Sequence, residues 1–235
     1  MKSKFCAISF WLMCVITAFF VFDKLCSMKL LVEQFGGMEA IKNTLSPMKT
    51  ANVVWFYGHH FVQPILFCVL FIAFLVRMGR KERLTSRVLG FAFAAALMEA
   101  ALLVLSYLMR GIFVPLFPLF IRIVFLTLLF LLLLDAKNKA YDNAIYIAAS
   151  VMGVVTLISL VLDFGGKGQL LLSMLQTSEI SLQISRLYIV TDYFLLPIFE
   201  PLAFALVIAY YRLYDVWFPS EEKEKVAYVN YCATV

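Results

Sequence analysis

Charged residues are scarce in this sequence. Only 15% of its 235 residues are Asp, Glu, Lys or Arg, whereas a typical soluble domain contains about 25%. Hydrophobic residues make up 63% of the chain, and the mean hydropathy is +0.92. Because so little charge cannot cover a globular surface in water, the composition excludes an ordinary soluble domain and indicates a protein embedded in lipid.

The sequence also lacks the short motifs that identify common enzymes. It contains no glycine-rich phosphate loop, no G-x-S-x-G elbow and no H-E-x-x-H zinc motif. The cysteines show no metal-type spacing and no pair suited to an external disulfide; they are Cys6, Cys14, Cys26, Cys68 and Cys232. We therefore expect no cofactor and no metal.

Long apolar segments, in contrast, are abundant. A helix needs about 20 mostly apolar residues to cross a bilayer. Since backbone groups cannot stay unpaired in hydrocarbon, such segments are predicted to be helical. The predicted fold is an all-α integral membrane protein, a single domain over residues 1–235 with about six transmembrane helices. The predicted spans are Phe5–Phe22, Ala51–Val76, Val88–Met109, Phe113–Leu134, Ala144–Leu162 and Leu187–Tyr211.

The first span could instead belong to a cleaved signal peptide, because Met1-Lys-Ser-Lys4 resembles a positively charged n-region. Its apolar run is longer than the roughly 7–15 residues usual in signal peptides, and no small-x-small cleavage site follows it. We therefore expect this helix to be retained as a membrane anchor.

Basic residues predict the orientation of the chain, because short cytoplasmic loops are enriched in Lys and Arg. The segment Arg77–Arg87 is rich in Arg, Lys137 and Lys139 follow the fourth span, and Lys2 and Lys4 precede the first. A six-helix chain brings these segments to one side, which places both termini and the tail 212–235 in the cytoplasm. The net charge of +5 reflects this topology and gives no reason to invoke nucleic acid. The expected partners are the lipid bilayer and other membrane proteins or further copies of the chain.

The predicted outer loop, residues 24–50, contains apolar residues at helical spacing, although Gly36 and Gly37 interrupt the pattern. This spacing predicts an interfacial helix lying on the membrane. Such a helix either merely covers the top of the bundle or forms a lid over an outward-facing cavity. The residues at this spacing are Met28, Leu31, Phe35, Met38, Ile41 and Leu45.

Two opposite charges lie at the same predicted depth. Glu99 is twelve residues before Gly111, at the turn between the third and fourth spans, and Arg122 is eleven residues after it. At a rise of 1.5 Å per residue, each lies about 17 Å from that turn. A charge facing lipid at mid-membrane costs roughly 2.5–3.5 kcal/mol on the mildest scale. We therefore predict that Arg122 pairs with Glu99 inside the bundle.

Further polar residues lie in the outer halves of the second and sixth spans. Asp192 lies near the outer end of the sixth span, and Glu200 lies about 20 Å deep. Burial without a cation favours the neutral form of a carboxyl group, so Glu200 is the candidate proton-binding residue. With His59, His60 and Gln63 of the second span, these residues and the Glu99–Arg122 pair predict a polar layer open to the outside. The histidines could instead be interfacial or structural.

Three function classes are consistent with this pattern. The first is a small-solute or proton/cation transporter, or a transporter subunit, with a polar outward-facing cavity. The second is a non-catalytic scaffold, sensor or assembly subunit. The third, a membrane-embedded metal-dependent enzyme, ranks below both because the histidines and acids match no metal signature.

Overall fold

The computed structural model describes residues 2–109, 116–138, 141, 143–158, 161, 191 and 195–218. All regular elements within these residues are helical. In chain order they are α1 Lys2–Phe35, α2 Met38–Leu45, α3 Thr50–Tyr57, the π-helical turn π1 Gly58–Val62, α4 Gln63–Gly79, α5 Ser86–Met109, α6 Leu116–Asn138, α7 Asn143–Ile158 and α8 Leu196–Trp217.

Four helical segments are long and apolar enough to cross a membrane. They are Cys6–Phe35 in α1, the continuous segment Thr50–Gly79 formed by α3, π1 and α4, Ser86–Met109, and Leu119–Lys137. They indicate a multi-pass integral membrane protein and confirm the predicted helical class. The fifth and sixth predicted spans lie partly outside the described residues, which contain the shorter apolar helix α7 from the fifth and the 22-residue helix α8 from the sixth.

The first helix is longer than predicted. It continues without a break to Phe35, so residues 24–35 belong to α1 rather than to an outer loop. It ends where Gly36 and Gly37 adopt φ values of 80° and 114°. The Gly37 N–H donates to the Val32 carbonyl at 2.9 Å, which satisfies one of the last carbonyls of the helix. The glycine pair thus divides the predicted interfacial helix into the end of α1 and the short helix α2.

The short helix α2 packs back onto α3. Its Ile41 and Leu45 are buried against Phe56, and Phe35 and Trp55 pack around this small core. The Phe35 and Phe56 rings meet nearly edge to face, with centroids 5.7 Å apart. Of the apolar residues of α2 that the spacing predicted, Ile41 and Leu45 are therefore buried against the protein, whereas Met38 is exposed.

A second, larger core joins α1, α4, α5, α6 and α8. Phe71 of α4 stacks on Phe20 of α1 with ring centroids 4.3 Å apart, and its edge meets Phe204 of α8. Phe125 of α6 contacts Phe204 from the other side at 4.5 Å. On α5 the buried residues include four small ones, which allow close helix packing; they are Ala92, Ala95, Ala96 and Ala100.

The turn before α2 gives a test of this arrangement. Gly37 has φ 114° and ψ 170°, a conformation that essentially only glycine adopts and that costs other residues roughly 1–3 kcal/mol. A Cβ atom at Gly37 would meet nothing within 4 Å, so Gly37→Ala should act through the backbone alone. We expect α2 to detach more often and its amides to exchange hydrogen several-fold faster, measured by mass spectrometry.

Gly153→Ala is the matched control. Gly153 lies inside α7, and its added Cβ also meets nothing within 4 Å. Alanine is favoured over glycine in a helix interior by about 0.5–1 kcal/mol, so this variant should be as stable as the wild type or more stable. Unchanged exchange of the α2 amides in Gly37→Ala would contradict the role of the turn.

Candidate functional site

Polar side chains from several helices surround a cavity of about 290 Å³, called here the upper cavity. The polar residues are contributed by α1, π1, α4, α5 and α6, and aromatic residues of the large core form the apolar part of the wall. The lining residues are Phe20, Lys24, Ser27, His59, His60, Gln63, Pro64, Phe67, Glu99, Arg122, Phe125 and Phe204.

The structure brings Glu99 and Arg122 together. Nη2 of Arg122 lies 2.7 Å from Oε1 of Glu99, a charge-assisted hydrogen bond between α5 and α6. The Glu99 side chain is 16% exposed and that of Arg122 is 37% exposed. Both line the upper cavity. The pair therefore joins two adjacent helices and also presents charge to the cavity.

The π-helical turn explains how three polar residues of one helix reach the same cavity. Pro64 has no N–H, and its ring would clash with the carbonyl four residues earlier in a regular α-helix. The chain widens by one residue instead, and the Gln63 N–H donates to the Gly58 carbonyl five residues back. Such π-turns are frequent at functional sites. This wider turn carries His59 and His60, and Gln63 follows it.

Close packing and ring contacts hold the two histidines. A Cβ on Gly58 would lie 2.8 Å from a Leu102 methyl group, so π1 approaches α5 closely. The His59 ring stacks on Trp55 with centroids 5.3 Å apart, and its Nδ1 lies 3.2 Å from Oε1 of Gln63. The His60 ring lies 4.9 Å from the Phe56 ring. No cluster of three or more His, Cys, Asp or Glu suited to a metal occurs within the described residues, and we assign no metal to this site.

Sequence reasoning missed the contribution of α1. Lys24 lines the upper cavity, and its Nζ lies 3.3 Å from Oδ2 of the buried Asp23. The signal was present, because Phe20, Lys24 and Ser27 are spaced by four and three residues and share one helical face. Because the predicted outer loop begins at Lys24, this helical face is not part of the predicted site.

Two predicted site residues cannot be placed in the cavity. Asp192 lies outside the described residues. Glu200 belongs to α8, one turn before Phe204, but its side chain lies outside the described part of the structure. Their membership of the polar layer therefore stays a prediction.

A second polar cluster lies at the opposite, lower end of the bundle, where the Arg77–Arg87 segment is found. Asp135 of α6 is buried and accepts a 2.9 Å hydrogen bond from the Tyr211 hydroxyl of α8; Nη1 of Arg212 lies 3.9 Å from the same carboxylate. Arg83 contacts Asp215 at 2.5 Å. These contacts tie α6, α8 and the α4–α5 connection together around a cavity of about 350 Å³.

Hydroxyl groups of α8 complete this lower closure. Tyr210 donates to the carbonyl of Glu82 at 2.9 Å, and Tyr214 donates to that of Lys81 at 2.8 Å. Arg77 forms an ion pair with Glu82. Between the two ends lies the large aromatic and aliphatic core.

Comparisons with protein-family models, with curated proteins and with solved structures find no match for this chain.

The Glu99–Arg122 contact can be tested by a double-mutant cycle. Arg122→Met and Glu99→Gln should each lower the free energy of unfolding, because each single change leaves the other group without its partner. The sum of these two losses should exceed the loss in the double variant. We expect a coupling energy within roughly 0.5–3 kcal/mol, in the lower half because Arg122 is 37% exposed. Unfolding in mixed micelles with increasing SDS measures it.

The pair Lys29–Glu33 provides the control. Its atoms are 3.6 Å apart, and its side chains are 74% and 58% exposed, so the coupling should be only about 0.3–0.5 kcal/mol. If the coupling of Glu99 and Arg122 were no larger than this, their contact would not stabilise the bundle.

Proposed function

We propose that the protein is a transport-type membrane protein that binds a small polar solute in the upper cavity. In this proposal the chain has six transmembrane helices, both termini are cytoplasmic, and the upper cavity faces the outside. The lower cluster then lies at the cytoplasmic side, in agreement with the positive-inside rule.

The observation that carries the proposal is the convergence of polar groups on open space. An ion pair that only joins helices needs no cavity beside it. Here side chains from α1, π1, α4, α5 and α6 line a volume of about 290 Å³, close to the smallest of the roughly 300–1,000 Å³ typical of ligand pockets. A few convergent polar groups on an apolar wall is the usual composition of such pockets.

The charges that line the cavity favour a solute with an anionic group. Among the described lining residues, Lys24 and Arg122 are cations and Glu99 is an anion. Each cation has a carboxylate partner, Asp23 for Lys24 and Glu99 for Arg122, and both keep further N–H donors that can bind an anion. The imidazoles of His59 and His60 can donate or accept hydrogen bonds, and Gln63 can do both. A carboxylate, phosphate or sulfonate would therefore find both charge and donors.

The contacts at the lower end suit alternating access. Asp135, Tyr211 and the Arg83–Asp215 pair tie the helices together around the cavity of about 350 Å³ at that end. Opening the lower end would require these contacts to break. Glu200, one turn before the cavity residue Phe204, is the proposed proton carrier that couples to this change.

A sensor or scaffold is the second candidate, and the filled interior favours it. Phe20 and Phe125, which form part of the cavity wall, are packed together with Phe71 and other aromatic and aliphatic residues of the large core. A sensor would bind the same solute and change its contacts with a partner without moving the solute across the membrane. Flux therefore distinguishes the two candidates.

Cysteine accessibility tests the orientation of the cavity. In a variant whose five native cysteines are replaced, Ser27→Cys should react with a membrane-impermeant thiol reagent added outside intact cells, because Ser27 lines the upper cavity. Thr85→Cys, exposed at the lower end, should react only after permeabilisation. Gel-shift labelling measures both.

Ala92→Cys is the internal control. Ala92 is buried, so this cysteine should react only after denaturation. Labelling of Thr85→Cys from outside, with Ser27→Cys protected, would reverse the proposed orientation.

Glu200→Gln tests transport. Proteoliposomes loaded with the pH dye pyranine should acidify when methanesulfonate, a small permanently charged anion, is added outside with a pH gradient. The variant should lose proton entry, because an amide cannot bind and release a proton as a carboxyl group does. Glu39→Gln changes an exposed acid of α2 and should keep proton entry. Wild-type flux no greater than that of empty liposomes would contradict transport and favour the sensor.

A further inference from the structure

The upper cavity is one of three neighbouring cavities that share lining residues. It shares His59, Gln63, Glu99 and Arg122 with a second cavity of about 210 Å³. The second shares Trp55 and Ser106 with a third of about 360 Å³. The three volumes therefore form a row from α1 and α6, past Trp55, to the space beside α2.

Polarity changes from one end of this row to the other. The upper cavity presents Lys24, Glu99 and Arg122. The third cavity is mainly apolar, and among its described lining residues the polar side chains include Thr44, Asn52 and Ser106. Its lining residues are Phe35, Thr44, Leu45, Met48, Asn52, Trp55, Phe56, Ser106 and Met109.

We infer that this row of cavities binds a single-chain anionic amphiphile. The inference rests on the proposed function and specifies its solute: a carboxylate or phosphate head group lies between Lys24 and Arg122, and an aliphatic chain passes Trp55 and ends beneath α2. Lys24 and Arg122 are already paired with Asp23 and Glu99, but both line the cavity and keep further N–H donors, and these donors favour an anionic over a cationic head group. The chain gains burial of apolar surface that a short solute would leave unused.

The position of α2 supports this choice of ligand. Leu45 both lines the third cavity and packs in the small core with Ile41 and Phe56. The Gly36–Gly37 turn connects α2 to α1, the helix that carries Lys24. A chain bound beneath α2 would add contacts to its inner face and so stabilise its docked position. Head and tail of the ligand would thus be recognised by two parts of one continuous segment.

Quenching of Trp55 fluorescence tests the inference. The full chain with Trp11→Phe and Trp217→Phe, in nanodiscs of zwitterionic lipid, is titrated with laurate brominated near its chain end. Bromine quenches an indole only on contact, so we expect saturable quenching of Trp55. A brominated alkyl trimethylammonium of equal length should quench only in proportion to its concentration in the bilayer.

A companion protein that keeps Trp11 but carries Trp55→Phe and Trp217→Phe reports on partition into the bilayer. Trp11 is 67% exposed on α1, so its quenching should rise without saturation. Equal quenching curves for Trp55 and Trp11 would overturn the inference.

Two variants separate recognition of the head from recognition of the chain. Lys24→Gln should weaken binding of the brominated laurate about ten-fold through loss of a charge-assisted contact. Ser106→Phe fills the junction between the second and third cavities and should weaken binding of the brominated laurate at least as much. The affinity for methanesulfonate, which has no chain and is measured by its competition with the laurate, should stay unchanged. Val69→Phe adds the same bulk at an exposed position of α4 and should change neither.

The outcomes distinguish this inference from the proposed function. Saturable binding of methanesulfonate with no gain from an alkyl chain, and no effect of Ser106→Phe on laurate, would overturn the amphiphile and leave a polar-solute site. Absence of saturable binding for both probes would contradict the site itself.

Discussion

The contact between Glu99 and Arg122 is the interaction on which the upper end of this protein depends. The two side chains belong to adjacent helices, and the short α5–α6 connection brings them to the same height. At 2.7 Å the contact fixes the spacing of these helices. The cavity then forms where α1 and the widened turn π1 approach the pair without filling the space beside it. With apolar residues in place of Glu99 and Arg122, the helices could pack together and fill this cavity.

The lower end also contains a buried carboxylate, and other groups stabilise it. Asp135 is satisfied by Tyr211 and by the nearby Arg212, and tyrosine hydroxyls of α8 bind carbonyls of the α4–α5 connection. These contacts surround the lower cavity of about 350 Å³. Both ends of the bundle therefore hold polar side chains beside a cavity, with stacked aromatic rings between them. The apolar cavity beside α2 is where we propose that the hydrocarbon chain of a ligand binds.

Much of the fold could be predicted because bilayer physics restricts the choices. Segments such as Ala51–Val76 and Val88–Met109 agree with observed helices to within a few residues, since an apolar run of that length has no other stable form in lipid. The length of α1 could not be predicted from hydropathy, because Asp23 and Lys24 follow an apolar run and resemble the start of a loop. The structure carries the helix past them to Phe35, since Asp23 is buried and pairs with Lys24.

By itself the sequence determined the helical membrane class, the approximate bounds of the second, third and fourth spans and the equal height of Glu99 and Arg122, because these follow from composition and from the constant rise of a helix. Only the tertiary structure decided which polar residues share a cavity. Lys24 lines it because segments distant in the chain pack together. His59, His60 and Gln63 line it because the helix changes register before Pro64. Periodicity along one helix specifies a face, but the neighbour that this face meets depends on how all the helices pack together.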